Sequence, residues 1–196
     1  MAGVRSGAGV LVVIVGPSGS GKDTLINWLR EKLEGRPEYL FVRRTVTREA
    51  DAGLEDHDTM SVAEFEAAAE AGRFAVTWTA HGLHYGLPAM AHDHIRRGGI
   101  AIANGSRQAL PAIRKRFSKL RVVHLTVAPD ILAQRLAVRR RESAGEVRAR
   151  LDRAVIDHDL GPDACEVDNS GSVEEAGNRI LRLIDGYGQR PRGELS

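Results

Sequence analysis

Val10-Leu-Val-Val-Ile-Val15 runs directly into Gly16-Pro17-Ser18-Gly19-Ser20-Gly21-Lys22-Asp23-Thr24, and Leu25, Ile26, Leu29 and Leu33 follow at helical spacing. A short apolar run without polar alternation is a strand buried on both faces. The glycines after it let the chain bend until successive N–H groups converge on a polyphosphate, and the dipole of the following helix adds positive potential at the same point. Lys22 would reach the terminal phosphates. A Gly-rich strand-to-helix turn without a ligand is the bland alternative, and it leaves the lysine spacing unexplained.

One residue departs from the usual pattern, in which Gly-Lys is followed by a Ser or Thr whose hydroxyl holds Mg²⁺. Here Asp23 follows Lys22. An anionic side chain beside a triphosphate is repelled unless a cation lies between them, so Asp23 is expected to face the metal, an oxygen ligand of the kind Mg²⁺ prefers. Thr24 lies about 100° further round the helix and does not simply take over that role. An acidic residue favoured in the first turn by the helix dipole alone is the competing explanation.

Outward from the loop, Gly99–Ala103 and Arg121–Val127 repeat the short apolar run. Between the strands, Ser61/Glu64, Ser143/Glu146 and Ser172/Glu175 have the spacing of capping boxes that open helices. Gly72 and Gly98 stand where helices should stop. Strand and helix alternate, which predicts an α/β fold with a parallel sheet covered by helices on both faces. The segment from Tyr39 to Ala80 breaks the rhythm, with β-like pieces at Tyr39–Val46 and Phe74–Ala80 around one helix, and reads as an inserted substrate-binding subdomain.

The chain has 196 residues, 42% hydrophobic and 28% charged, the balance of one compact domain with a sizeable core. Its longest apolar run is too short to cross a bilayer and its start lacks the order of a secretory signal, so a cytoplasmic location with no membrane partner is expected. Cys165 is the only cysteine, which excludes an intramolecular disulfide and clustered thiolate metal sites. His92 and His94, two apart, do not make a metal pair on a helix. Of the 28 basic residues all but Lys22, Lys32, Lys115 and Lys119 are arginine, a skew that suits planar recognition of phosphate but also arises from codon bias.

Further motifs are Thr47-Arg48 followed by Asp51-Ala-Gly53 and Glu55-Asp-His57, then His81-Gly-Leu-His-Tyr-Gly86, Asn104-Gly-Ser-Arg107, Arg139-Arg-Arg-Glu-Ser143 and Val167-Asp-Asn169. With the phosphate loop, they resemble the guanylate-kinase-like branch of the nucleoside monophosphate kinases across nearly the whole chain. Within that branch Lys22-Asp23 and Asn104-Gly-Ser-Arg107 resemble the ribose 1,5-bisphosphate phosphokinases associated with phosphonate breakdown. The resemblance implies a single P-loop kinase domain over 1–196, with its core at about 8–38, 99–134 and 160–187. It also implies an acceptor-binding region at 39–98 and a helical lid at 135–159.

ATP and Mg²⁺ are the implied cofactors and a small phosphorylated sugar the implied partner. Residues Gly16 to Thr24 (Gly16, Pro17, Ser18, Gly19, Ser20, Gly21, Lys22, Asp23, Thr24) and Arg135 would bind the nucleotide, with Asp23 on the metal. Lys22, Arg139 and Arg150 would act in catalysis, since phosphoryl transfer asks mainly for positioning and positive charge. Arg44, Arg48, Arg107 and the Tyr85 hydroxyl would suit an acceptor that carries two phosphates and no base. Which of Arg43, Arg44 and Arg48 stands for the family's phosphate-binding arginines is open. Aligned with guanylate kinases, the guanine-binding glutamate falls on Val76 and the paired aspartates on Ile100 and Ile102, which would leave guanine's donors unpaired.

The implied reaction is ATP-dependent phosphorylation of ribose 1,5-bisphosphate to 5-phosphoribosyl 1-diphosphate, and since the acceptor oxygen is already ionised no general base is named. Guanylate kinase, or another nucleoside monophosphate kinase, is the alternative. From a different class, the arginines between Gln134 and Arg153 would suit a basic nucleic-acid-binding module with a nucleotide pocket. The net charge of +2 and the 5% aromatic content weigh against that module.

Overall fold

A computed structural model of the chain describes residues 9–48, 57–80, 82–138 and 160–188. The apolar run that opens the molecule is strand β1 (Val10–Val15), and every one of its residues is buried. It lies at the centre of a five-stranded sheet with β2 (Tyr39–Val42), β7 (Ile100–Asn104), β8 (Leu120–Thr126) and β9 (Ala164–Asp168), in the order β2-β7-β1-β8-β9. All of these pairings are parallel.

Parallel pairing requires covered faces, and the alternation along β1 shows how they are covered. Val10, Val12 and Ile14 pack with Leu25, Ile26 and Leu29 of α1 (Lys22–Lys32) and with Ile180 and Ile184 of α6 (Val173–Gly188). Leu11, Val13 and Val15 point the other way, toward Ala91 of α3 (Met90–Arg96) and Leu110 and Ile113 of α4 (Leu110–Arg116). Three layers result, as the strand–helix alternation predicts.

The second sheet has the order β4-β3-β6-β5, built from β3 (Arg44–Val46), β4 (His57–Thr59), β5 (Phe74–Ala80) and β6 (Leu83–Pro88), with α2 (Val62–Glu70) beside it. This corrects the reading of Tyr39–Val46 as one piece of an insertion. The segment divides at Arg43: Tyr39–Val42 pairs with β7 as an edge strand of the main sheet, and only Arg44–Val46 joins the second. Val42 is buried against β7, so the strand's own apolar content holds it in the core.

Helix boundaries follow local chemistry. Ser61 and Glu64 form a complete capping box at α2, and Ser172 and Glu175 exchange the same bonds at α6. Gly72 and Gly98 follow α2 and α3 with φ of 68° and 87°. The Ser143/Glu146 pair lies outside the described residues, as do residues 139–159 of the expected lid; the lid's first residues, 135–138, are the end of helix α5 (Pro129–Val138). No helix among the described residues is long and apolar enough to cross a membrane.

Candidate active site

Because the main sheet is parallel, its C-terminal strand ends share one edge, the place where ligands of such sheets bind. Gly16–Gly21 follows β1 there, Asn104 ends β7 and Gly105-Ser106 follows it, and Asn169 follows β9. The loop glycines are required by close approach. Gly21, the N-cap of α1, has φ of 85°, and a Cβ there would stand 2.6 Å from the Asn169 amide nitrogen. Gly19, also at φ 85°, lies against Leu132 and Leu136 of α5, 3.1 and 3.0 Å from where a Cβ would be. The side chains that crowd these glycines hold the loop from behind: the Asn169 Nδ2 donates to the Ser20 carbonyl at 2.7 Å.

Lys22 curls back over the loop, and its Nζ donates to the carbonyls of Gly16 and Pro17 at 2.9 Å each. The ammonium is thereby placed at the mouth of the cradle. Asp23 accepts a hydrogen bond at 2.7 Å from the Nδ2 of Asn104, the last residue of β7. Loop residues Gly16 to Thr24, apart from Pro17 and Ser20, line a cavity of about 250 Å³ together with Arg44, Asn104 and Ser106. A larger cavity of about 520 Å³ adjoins the loop on its other side and is lined by Gly21, Thr24, Gln134, Arg135, Asn169 and Val173. Beside it, the Asp168 carboxyl is held below the usual carboxylate range, chiefly by hydrogen bonds from Ser170 and further by the charges of Arg135 and Arg179.

The arginines separate by position. Arg44 lines the loop cavity, with its guanidinium 5.7 Å from the Tyr85 ring centre, and that ring stacks on Trp78 at 5.4 Å. Arg43 is turned away, toward the His57 carbonyl at 3.2 Å and the Asp58 carboxylate at 3.4 Å. Arg48 meets the His57 ring at 3.0 Å, beyond the end of β3. Arg107 opens a short 3-10 turn directly after Ser106, and partial burial lowers its pKa from the ordinary arginine value. The structure thus brings Lys22, Asp23, Thr24 and Arg44 to one cavity and Arg135 to the next, while Arg139 and Arg150 lie outside the described residues.

Three positions read from the resemblance lie in the core. Ile100 and Ile102 point into the α1 side of the core and Val76 into the opposite cluster, at 4%, 1% and 5% exposure. As buried apolar side chains, they present no hydrogen-bond acceptor to a ligand. The β7 residue that reaches the ligand edge is Asn104, and the sequence reading gave it no role of its own; a polar residue closing an otherwise apolar strand is the signal that marks it. Ser106 reaches the smaller cavity as part of the Asn104-Gly-Ser-Arg107 motif, whereas nothing in the local sequence marks Gln134 as a residue of the larger one.

Among curated proteins, the chain is 48% identical to a ribose 1,5-bisphosphate phosphokinase of Agrobacterium fabrum over 174 residues, spanning 89% of this chain and 95% of that one. It is 47% identical to the protein of the same name from Brucella melitensis, with 90% and 92% covered, and 43% identical to that of Rhizobium etli, with 94% and 93% covered. The chain belongs to the ribose 1,5-bisphosphate phosphokinase family. Members of this family are kinases, so the phosphate cradle is part of an enzyme. Among solved structures, a guanylate kinase from Anaplasma phagocytophilum matches this phosphokinase family member with a TM-score of 0.64 over 94% of this chain and 88% of that one, at 17% identity. That likeness shows a guanylate-kinase-like fold. No protein-family model matches the chain.

Proposed function

We propose that this protein transfers the terminal phosphoryl group of ATP to ribose 1,5-bisphosphate, giving 5-phosphoribosyl 1-diphosphate and ADP. The observation that carries the reading is a phosphate cradle with Lys22 at its mouth sharing one cavity with Arg44, in a chain 48% identical to a protein named for that activity.

An oxygen of the acceptor's 1-phosphate, already ionised near neutral pH, attacks the γ-phosphorus. A new P–O bond forms as the bond to the bridging oxygen breaks, and the electron pair leaves with ADP. No side chain has to accept a proton. Main-chain N–H groups of the loop hold the donor phosphates, and the cavity beside Arg135 and Asn169 takes the nucleoside end. Lys22, Arg139 and Arg150 stabilise charge spread over the oxygens in flight. Arg44, Arg48, Arg107 and the Tyr85 hydroxyl fix the acceptor phosphates, so region 39–98 supplies most of the acceptor side and the stretch 135–159 serves the donor side.

The residues present fit a magnesium ion. Asp23 lines the loop cavity and accepts only one hydrogen bond among the described residues, which leaves carboxylate lone pairs for a hard cation. When bound, Mg²⁺ offsets the negative charge of the donor phosphates. Asp23 would hold it, directly or through water.

The test is an acceptor panel of ribose 1,5-bisphosphate, GMP, dGMP and AMP with ATP and Mg²⁺, with products identified by phosphorus NMR. Ribose 1,5-bisphosphate should be turned over faster than each nucleotide by roughly 100-fold or more, because the site is built for paired phosphates and not for a base. Fast turnover of GMP alone would show a nucleotide kinase and overturn the substrate assignment.

A further inference from the structure

Lys22-Asp23 and Asn104-Gly-Ser-Arg107 are separate motifs in the chain, yet they meet in space: the Asn104 Nδ2 donates to the Asp23 Oδ1 at 2.7 Å across 81 positions. β1 and β7 are neighbours with Ile14 opposite Asn104, which brings the end of β7 beside the loop that ends in Asp23. A carboxylate only accepts, so the amide nitrogen must face it and the amide oxygen must face away. That oxygen is buried and finds no donor among the described residues, although Asn104 as a whole is 8% exposed. A buried acceptor left without a partner destabilises a fold, and an apolar residue of similar size would not carry that penalty.

We infer that Asn104 is a positioning residue that holds the Asp23 carboxylate at the phosphate cradle, so that polyphosphate binds well only when it arrives with a divalent cation. The inference rests on the proposed reading of the loop as an ATP site. Two charge relations carry it. Among the described residues, the side-chain group that bonds Asp23 is the neutral amide of Asn104 and not a cation. A metal-free triphosphate entering the cavity of Lys22, Asp23 and Thr24 meets that charge at close range, whereas one carrying a cation turns repulsion into attraction. An unheld carboxylate would rotate toward solvent and weaken both effects. Asparagine suits this position because it donates without adding charge. Aspartate at 104 would set two carboxylates against each other, and an apolar residue would donate nothing.

The test reads binding and not turnover. Affinity for ATP is measured by calorimetry on the full-length protein with Mg²⁺ and with EDTA, for wild type, Asp23→Ala, Asn104→Leu, Asn104→Ser and the Asp23→Ala/Asn104→Leu double variant, each checked by thermal unfolding. Wild type should favour Mg²⁺·ATP over metal-free ATP at least tenfold. Asp23→Ala should shrink that preference by tightening metal-free binding. Asn104→Leu and Asn104→Ser should each shrink it at least threefold, with the leucine variant no less stable than wild type, and the double variant should match Asp23→Ala. An unaltered preference in both Asn104 variants, or an effect of Asn104→Leu that persists in full without Asp23, would overturn the positioning role while leaving the ATP site intact. Wild type that binds ATP under neither condition would overturn the ATP reading and the inference with it.

Discussion

Lys22 illustrates what single residues contribute. Its ammonium is already held by two loop carbonyls at 2.9 Å, so little reorganisation separates the free side chain from one that bridges donor phosphates. Lys22→Ala should lower kcat by about 100- to 1000-fold, with a melting temperature close to wild type, as rapid-quench assays beside thermal melts would show. Lys22→Arg should recover little, because a planar fork does not fit where a point charge closes over the loop. Residues of this kind are legible in sequence, since loop, lysine and helix are contiguous. The partner of Asn104 is not, since Asp23 lies 81 positions away.

Elements are governed by shorter-range chemistry. The Ser172 hydroxyl and the Ser172 backbone N–H both donate to the Glu175 carboxylate, at 2.9 and 3.2 Å, and these bonds hold the Glu175 carboxyl below the ordinary glutamate range. A carboxylate lowered on folding stabilises the native state above its unfolded pKa, and that contribution is lost as pH falls through the lowered value. Ser172→Ala should therefore melt below wild type at neutral pH, and the gap should narrow as the solution is acidified through and below the ordinary glutamate range; a gap independent of pH would contradict this. Packing between elements is less local. Gly177 of α6 lies under the Trp28 ring of α1, where a Cβ would meet ring carbon at 2.4 Å. Gly177→Val should cost about 1–3 kcal/mol in denaturant melts. Its spacing in the sequence does not announce that contact, because a glycine inside a helix reads as a weak position until its neighbour is known.

Across the whole molecule, α5 carries Leu132 and Leu136 against Gly19 and Arg135 beside the larger cavity at the loop, so one helix braces the loop and furnishes its surroundings. Leu136 is 4% exposed. Leu136→Ala should destabilise the fold by about 2–5 kcal/mol and raise the KM for ATP more than that for the acceptor, as initial-rate kinetics below the variant's melting range would show. Equal changes in both constants would mean that the brace serves stability alone.

Everything decided within a few residues was open to reading in the chain itself: the buried strands from their apolar runs, the helix starts from Ser and Glu three apart, the phosphate loop from its glycines and lysine, and the parallel α/β class from their alternation. Such features depend on backbone geometry and on hydrogen bonds between near neighbours, which composition and spacing express directly. Tertiary structure alone decided that the chain leaves one sheet for the other at Arg43, that Arg44 and not Arg43 faces the loop cavity, and that Asn169 ties down Ser20 from 149 positions away. Those outcomes depend on strand order and on which side chains meet at the sheet's C-terminal edge, where distance along the chain carries no information about distance in space.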